Sequence, residues 1–560
     1  MILICTSAPV SVCAEQVYPS KYDLREKNLI SPPADQNESY TCWAFSFLGA
    51  FETKLAKSHP EVNLSEWYMT HSAFTGNYGF PVTSTQRMAS GSGTIAASVL
   101  TGWRGIALEK DIPYGTAEEA INKYNINNLI NNRTSPDYIL TDIRGLEPWI
   151  SSRKHYDTNY IKDMIYSDSS VYCTCTTQDK YFNTAKNALY CSNPDYTYKS
   201  DSGYHSVLLV GWDDNFKREN FPENCRPEND GAWIAKNSYG ADWGYDGYFY
   251  ISYEDQSLLE AVACTGAEKN PYQNIYQHDE YGWSTSLSSE FICSFFPGSI
   301  KPEKNAGHMA NIFQADSDEY IAAVSICTIE DDAEYELSVY TGLSDISSPV
   351  SGTEKSYLSG RQAHRGYHTV TLTEPVPVMA GEYFSVVLKI INPSSEFTIP
   401  IEACIQMRDK NNDKIIISNI SSIDKKIHRN ESFISEDGVN WHDIFITSNG
   451  DTPLSYRINE QFLPDPPEDE YPEKMTGGNI CMKVFSLKDL PDMPTPGFDI
   501  NNDGSATALD ISEMLSLISE KKYIANADLN HDGEITAADL VILISALFRI
   551  NASIYRNSPF

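Results

Sequence analysis

The chain has 560 residues, 41% hydrophobic and 12% aromatic, with a formal net charge of −34 at pH 7. That length calls for more than one core, and the apolar content excludes wholesale disorder. The acidic excess would repel nucleic acid and anionic membranes over most of the surface, and no apolar run reaches the roughly 18 residues of a membrane span, so neither is an expected partner.

In chain order, residues 1–14 (MILICTSAPVSVCA) are small and apolar and read as a secretory signal lacking its basic start. This implies an extracellular protein. Twelve cysteines are too few for a disulfide-built scaffold; Cys173-Thr-Cys175 with Cys191 fits neither a zinc ribbon nor a redox pair, leaving a loop disulfide or buried free thiols.

Residues 18–270 mix helical and strand patterns, an α+β texture. An amphipathic helix is expected over Cys42 to Ser58, with Phe45, Leu48, Phe51 and Leu55 as its apolar stripe, and a second over Thr94 to Trp103. A thiol must ionise to attack a carbonyl, and a helix N-terminus plus an imidazolium favour the thiolate. Cys42 has the first by position, and Gln36 lies six residues upstream in Asp35-Gln-Asn-Glu-Ser-Tyr-Thr-Cys-Trp-Ala-Phe-Ser46. His205 opens a Val-Leu-Leu-Val-Gly strand 163 residues downstream, and Asn237 follows in Trp233-Ile-Ala-Lys-Asn-Ser-Tyr-Gly240. A further strand is expected over Gly247 to Ser252.

These segments together resemble the papain-like cysteine peptidases, from about Tyr18 to about Tyr253. The resemblance implies Cys42 as nucleophile, His205 as base, Asn237 as the residue orienting the imidazole, and Gln36 with the Cys42 N–H as oxyanion donors. It also implies that Gly91 and Gly93 line the substrate backbone and that Tyr204 and Ser206 flank the pocket for the second residue before the cleaved bond. No cofactor is expected for catalysis. Departures are visible: Ser39 replaces the cysteine that staples this loop in the family, Tyr40 a glycine, and Tyr239 a tryptophan shielding the histidine, while Asn215 to Asp230 is inserted. No room for the family's inhibitory propeptide is expected between Ala14 and Tyr18.

Residues 275–487 lose helical periodicity and carry short β-branched or aromatic runs: Ala322 to Cys327, Tyr335 to Tyr340, His368 to Leu372, Tyr383 to Ile390 and Ile480 to Phe485. This is the pattern of an all-β sandwich. Ile275-Tyr-Gln-His-Asp-Glu-Tyr-Gly-Trp283 and Glu431 to Asp443 resemble the lectin-like β domain that follows the peptidase in some bacterial relatives, which implies carbohydrate as a ligand. Residues 488–496 read as a proline-rich linker.

Residues 497–550 hold a duplication at a 29-residue interval. Calcium takes six to eight oxygens, and a twelve-residue loop supplies them from positions one, three, five, seven and twelve. The first loop offers Asp499, Asn501, Asp503, the Ser505 carbonyl and Asp510; the second offers Asp528, Asn530, Asp532, the Glu534 carbonyl and Asp539. Helices are expected over Ile511 to Ser519 and Leu540 to Leu547. The segment resembles a dockerin, implying two structural Ca2+ ions, a cohesin domain on a scaffold as partner, and a small α-helical calcium-binding module.

The expectation is a secreted cysteine endopeptidase acting on peptide or protein substrates, carried on a cellulosome-like scaffold. The alternatives are a catalytically silent peptidase-shaped binding or adhesion component and a thiol acyl transferase.

Overall fold

The computed structural model describes residues 17–74, 91–115, 135–147, 156–193, 204–279, 282–283, 285–290, 301–409, 414–418, 428–444, 470–489, 500–501, 508–522, 524, 527, 529, 535–537 and 539–544. The expected signal at residues 1–14 and the linker from residue 490 onward lie outside these. The chain divides into two compact units, Met1–Lys488 and Asp489–Phe560.

In the first unit, helix α1 spans Cys42–Leu55 and is buried on nearly every side, from Trp43 through Thr53 and at Leu55. The amphipathic expectation therefore understates it. Its stripe of Phe45, Leu48, Phe51 and Leu55 is buried, but Trp43 and Phe47 on other faces are fully buried as well, because the helix is packed between two further helices and the sheet. Those helices are α2, Glu66–Phe74, and α3, Gly93–Thr101, the latter capped by the Ser92 hydroxyl on the Ile95 N–H.

The sheet beneath α1 is antiparallel around the site. The histidine strand, Tyr204–Asp213, pairs with Val171–Thr176 on one side and with the asparagine strand, Ala232–Lys236, on the other. The expected strand near Gly247 to Ser252 runs over Tyr248–Ser252 and pairs next. In the opposite direction the sheet continues through Leu259–Lys269 and Tyr138–Arg144 and then crosses into the β-rich region, where Tyr138–Arg144 pairs with Gly366–Val378. Beyond lie Glu319–Thr328 and Val484–Leu487. Thirteen strands among the described residues thus form one sheet shared by both regions.

A six-stranded sheet and a four-stranded sheet complete the β-rich region. Residues from all three sheets, including Met309, Val324, Leu388 and Ile399, share one core. Four of the five expected runs fall inside the strands Glu319–Thr328, Ala333–Thr341, Gly366–Val378 and Tyr383–Ile391. The fifth, Ile480 to Phe485, is broken. Lys483 gives its N–H to the Ser325 hydroxyl at 2.9 Å and its ammonium to the buried Asp279 carboxylate at 2.7 Å, which separates Glu470–Ile480 from Val484–Leu487.

The second unit contains α4, Ala508–Glu520, over the expected Ile511 to Ser519, with Ile500, Met514, Leu517, Ala527 and Leu543 as core. Residues 539–544 are helical where Leu540 to Leu547 was expected, and 545–547 lie outside the described residues.

Candidate active site

Cys42 is the first residue of α1, which places its sulfur at the positive end of the helix dipole. Two further groups reach it. Ser206 directs its backbone N–H at the sulfur from 3.5 Å, and the His205 imidazole hydrogen-bonds to it. Burial opposes the thiolate, but the hydrogen bond and charge of His205 and the Ser206 N–H outweigh it, holding the Cys42 thiol below its ordinary value.

Burial likewise opposes the imidazolium. Its bonds to Cys42 and Asn237 prevail and raise His205 above its ordinary value. Nε2 of His205 is bound to Oδ1 of Asn237 at 2.6 Å, so Nδ1 is the nitrogen left for the sulfur. The Tyr239 ring lies over the imidazole with centroids 4.8 Å apart, and Trp243 meets Tyr239 edge-on at 5.6 Å. An aromatic cover over the histidine is therefore present despite the departure from tryptophan. Within the inserted Asn215 to Asp230 segment, Phe216 stacks on Tyr250 with centroids 4.0 Å apart.

Gln36 is buried and tied to the asparagine turn. Its N–H donates to the Ser238 carbonyl at 2.9 Å, and its Oε1 accepts from the Ser238 hydroxyl at 2.6 Å. Ser238 also donates its N–H to Asn237 Oδ1 at 2.8 Å. A chain of polar contacts therefore links Gln36, Ser238, Asn237 and His205. One Nε2 hydrogen of Gln36 goes to the Ser39 carbonyl; an amide carries two.

Among the residues expected to meet substrate, Gly91 lies against Trp43, where an added Cβ would sit 2.4 Å from the indole, and Gly93 lies 2.8 Å on the same measure from the Tyr172 ring. Ser206 turns its N–H to the sulfur, while its buried hydroxyl bonds to the Tyr172 phenol at 3.0 Å. Tyr204 is half-buried opposite Thr176.

Behind Asn237 lies a buried charged cluster with no local sequence signature. Glu52 accepts from the Leu64 N–H and the Ser31 hydroxyl, each at 2.7 Å, and the Lys236 ammonium donates to Ser31 at 3.0 Å. Glu66 completes it, and a cavity of about 30 Å³ lined by Glu52, Glu66, Lys236, Asn237 and Ser238 can hold a water. Burial, then the charges of Glu52 and Glu109, hold the Glu66 carboxyl well above its ordinary value. The only sequence hint was a glutamate, Glu52, inside the apolar stripe of α1.

Cys173, Cys175, Cys191, Cys225, Cys264, Cys327 and Cys481 are buried free thiols. Of the two readings open for Cys173, Cys175 and Cys191, this is the one found. Burial pushes Cys173, Cys175 and Cys481 far up, and Cys191 to about 11, away from reactivity.

Of the calcium residues, Asn501, Asp510 and Asp539 are among those described, and Asp499, Asp503, Ser505, Asp528, Asn530, Asp532 and Glu534 lie outside them. Asp510 and Asp539 are fully buried. Asp510 accepts from the Ile500 N–H at 2.7 Å, and Asp539 accepts from the equivalent Leu529 N–H at 2.8 Å. The duplication is thus also a repeat of hydrogen bonds. Two buried carboxylates at position twelve, each folded back on its own loop, fit a calcium-loop donor set.

Residues 18–272 match the family model described as papain family cysteine protease, residues 275–453 the lectin like domain, and residues 497–548 the dockerin type I domain. The chain therefore joins a papain-family cysteine peptidase region, a lectin-like region and a dockerin type I region, and a dockerin of this type binds calcium. Procathepsin L of Felis catus is 28% identical over 236 residues, covering 42% of this chain and 60% of the relative. A viral cathepsin of Heliothis zea nuclear polyhedrosis virus is 26% identical over 252 residues, covering 44% and 56%. The chain thus spans less than two-thirds of the length of these relatives. Among solved structures, the clostridial cysteine protease Cwp84 after propeptide cleavage superposes with a TM-score of 0.62 at 24% identity, over 84% of this chain and all of the other. The cysteine protease and lectin-like domains of Cwp84, a surface layer associated protein of Clostridium difficile, give 0.61 at 24% identity over 85% and 90%. That likeness speaks for the fold.

Proposed function

We propose that this chain is a secreted cysteine endopeptidase that hydrolyses peptide bonds through Cys42, His205 and Asn237. The observation that carries the reading is the thiol at a helix N-terminus hydrogen-bonded to an imidazole whose other nitrogen is held by Asn237. The Cys42 thiolate attacks the scissile carbonyl, and the tetrahedral oxyanion accepts hydrogen bonds from the Cys42 N–H and from Gln36 Nε2. His205 gives its proton to the leaving amine as the carbon–nitrogen bond breaks and a thioester forms. Water deprotonated by His205 then attacks the thioester, releasing the acid and returning the thiol. Gly91, beside Trp43, and Gly93, beside Tyr172, are proposed, with Tyr204 and Ser206, to meet the acyl part of the substrate.

The same reading assigns the C-terminal unit to anchoring. Two Ca2+ ions, one per loop, would be held by Asp499, Asn501, Asp503, Ser505 and Asp510 and by Asp528, Asn530, Asp532, Glu534 and Asp539, stiffening the loops that carry the helices toward a cohesin domain. The lectin-like region is proposed to offer a carbohydrate contact. Among the described residues no helix is long and apolar enough to cross a membrane.

One experiment tests both halves: hydrolysis of a fluorogenic peptide under reducing conditions, alongside capture on immobilised cohesin, for wild type and Cys42→Ala, with and without EDTA. Hydrolysis should vanish in Cys42→Ala and persist in EDTA, while capture should persist in Cys42→Ala and vanish in EDTA. Equal loss of both on chelation would contradict the separation of roles, and hydrolysis by Cys42→Ala would overturn the nucleophile.

A further inference from the structure

The loop from Gln36 to Cys42 carries an oxyanion donor at one end and the nucleophile at the other, and it contains no cysteine before Cys42 to brace it covalently. A phenol braces it instead. The Tyr114 hydroxyl donates to the Gln36 carbonyl at 2.9 Å and lies 2.6 Å from the Ser39 hydroxyl and 2.8 Å from that of Thr41. Ser39 and Thr41 are themselves 2.5 Å apart, and Ser39 also donates to the Gln36 carbonyl at 2.7 Å. One side chain therefore gathers three positions of a seven-residue loop.

Tyr114 is in turn anchored. Its N–H donates to Glu109 at 2.6 Å, and its ring meets Phe45 of α1 edge-on at 4.9 Å and Trp67 of α2 at 5.4 Å. The brace also alters α1. Thr41 is the residue before the helix, where a threonine hydroxyl ordinarily caps a backbone N–H, yet this hydroxyl makes no such bond and is turned to Tyr114. The hydroxyl that would ordinarily cover a first-turn N–H beside the sulfur is thus engaged by Tyr114 instead.

We propose that Tyr114 is a positioning residue for the oxyanion donors, its phenol fixing the spacing between Gln36 and the Cys42 N–H in the role a disulfide would otherwise fill. The proposal rests on the peptidase reading above. A hydrogen-bonded brace, unlike a disulfide, is indifferent to reductant, so the site would be complete under the reducing conditions that keep its thiol active.

The test compares the full chain with Tyr114→Phe, which keeps the ring and removes the three oxygen contacts. Expected is a ten- to hundredfold fall in kcat with KM within threefold, and an equal weakening of a peptide aldehyde, which forms the tetrahedral adduct on the sulfur. The pH dependence of Cys42 alkylation, which reports the thiol and imidazole alone, should not move. Ser39→Ala, which removes one of the phenol's three contacts along with the Ser39 bonds to Thr41 and the Gln36 carbonyl, should show the same pattern and serves if Tyr114→Phe folds poorly. Unchanged kcat and aldehyde affinity in both variants would overturn the proposal, as would a kcat loss accompanied by an equal shift in the alkylation profile. Absence of hydrolysis by wild type would bring down the peptidase reading and this proposal together, whereas wild-type turnover with unaffected variants overturns only the proposal.

Discussion

The sulfur and the imidazole polarise one another in opposite directions. The thiol of Cys42 is lowered from 9.0 and the imidazole of His205 raised from 6.5, so the thiolate is present above the lowered value and the imidazolium below the raised one. Each shift favours the thiolate–imidazolium form over the neutral pair, and the two apparent values belong to the pair rather than to either residue. Alkylation of Cys42 by iodoacetamide should therefore rise with pH at a midpoint below 9, and His205→Ala should push that midpoint up; a midpoint unmoved by His205→Ala would contradict the pairing. At this scale Cys42, Gln36, His205 and Asn237 were legible because each sits in a local signature, a helix start, a strand start or a turn. Tyr114, Ser238 and the Glu52–Lys236 cluster were not. A tyrosine 72 residues past the nucleophile has no pattern of its own, and its role exists only once the fold brings its phenol to the loop.

Among the elements, α1, α3, the strands that carry His205 and follow Gly247, and four of the β-rich strands were readable from periodicity and β-branched runs, while α2, strands such as Val171–Thr176 and Leu259–Lys269, and the joint between the peptidase and β-rich regions were not. Strand partners far apart in sequence leave no local trace, and the pairing of Tyr138–Arg144 with Gly366–Val378 spans more than two hundred residues. The joint is tight. Gly366 has φ of +143°, and an added Cβ would lie 1.8 Å from the Ile143 carbonyl oxygen; His368 beside it bonds to Asp142 at 2.7 Å. Gly366→Ala should cost about 3 kcal/mol through the combined strain and overlap, visible as a lower denaturant midpoint for unfolding of the first unit. An unchanged midpoint would mean the two regions do not depend on this contact.

For the whole molecule, the shared sheet makes the peptidase and β-rich regions one compact unit, and the dockerin region a second. Composition gave the number of textures and their order, but not that two of them share strands, because texture reports local residue choice and says nothing of which edges meet. Of the eight cysteines whose side chains the structure describes, only Cys42 is chemically set apart: it is partly exposed with its thiol lowered, whereas the other seven are buried. The most direct measurement is therefore stoichiometric labelling of the native chain with an epoxide thiol-protease inhibitor at neutral pH, mapped by mass spectrometry. A working site predicts one equivalent, on Cys42, with peptide hydrolysis lost in step; labelling spread over several cysteines, or Cys42 left unmodified while hydrolysis proceeds, would contradict it.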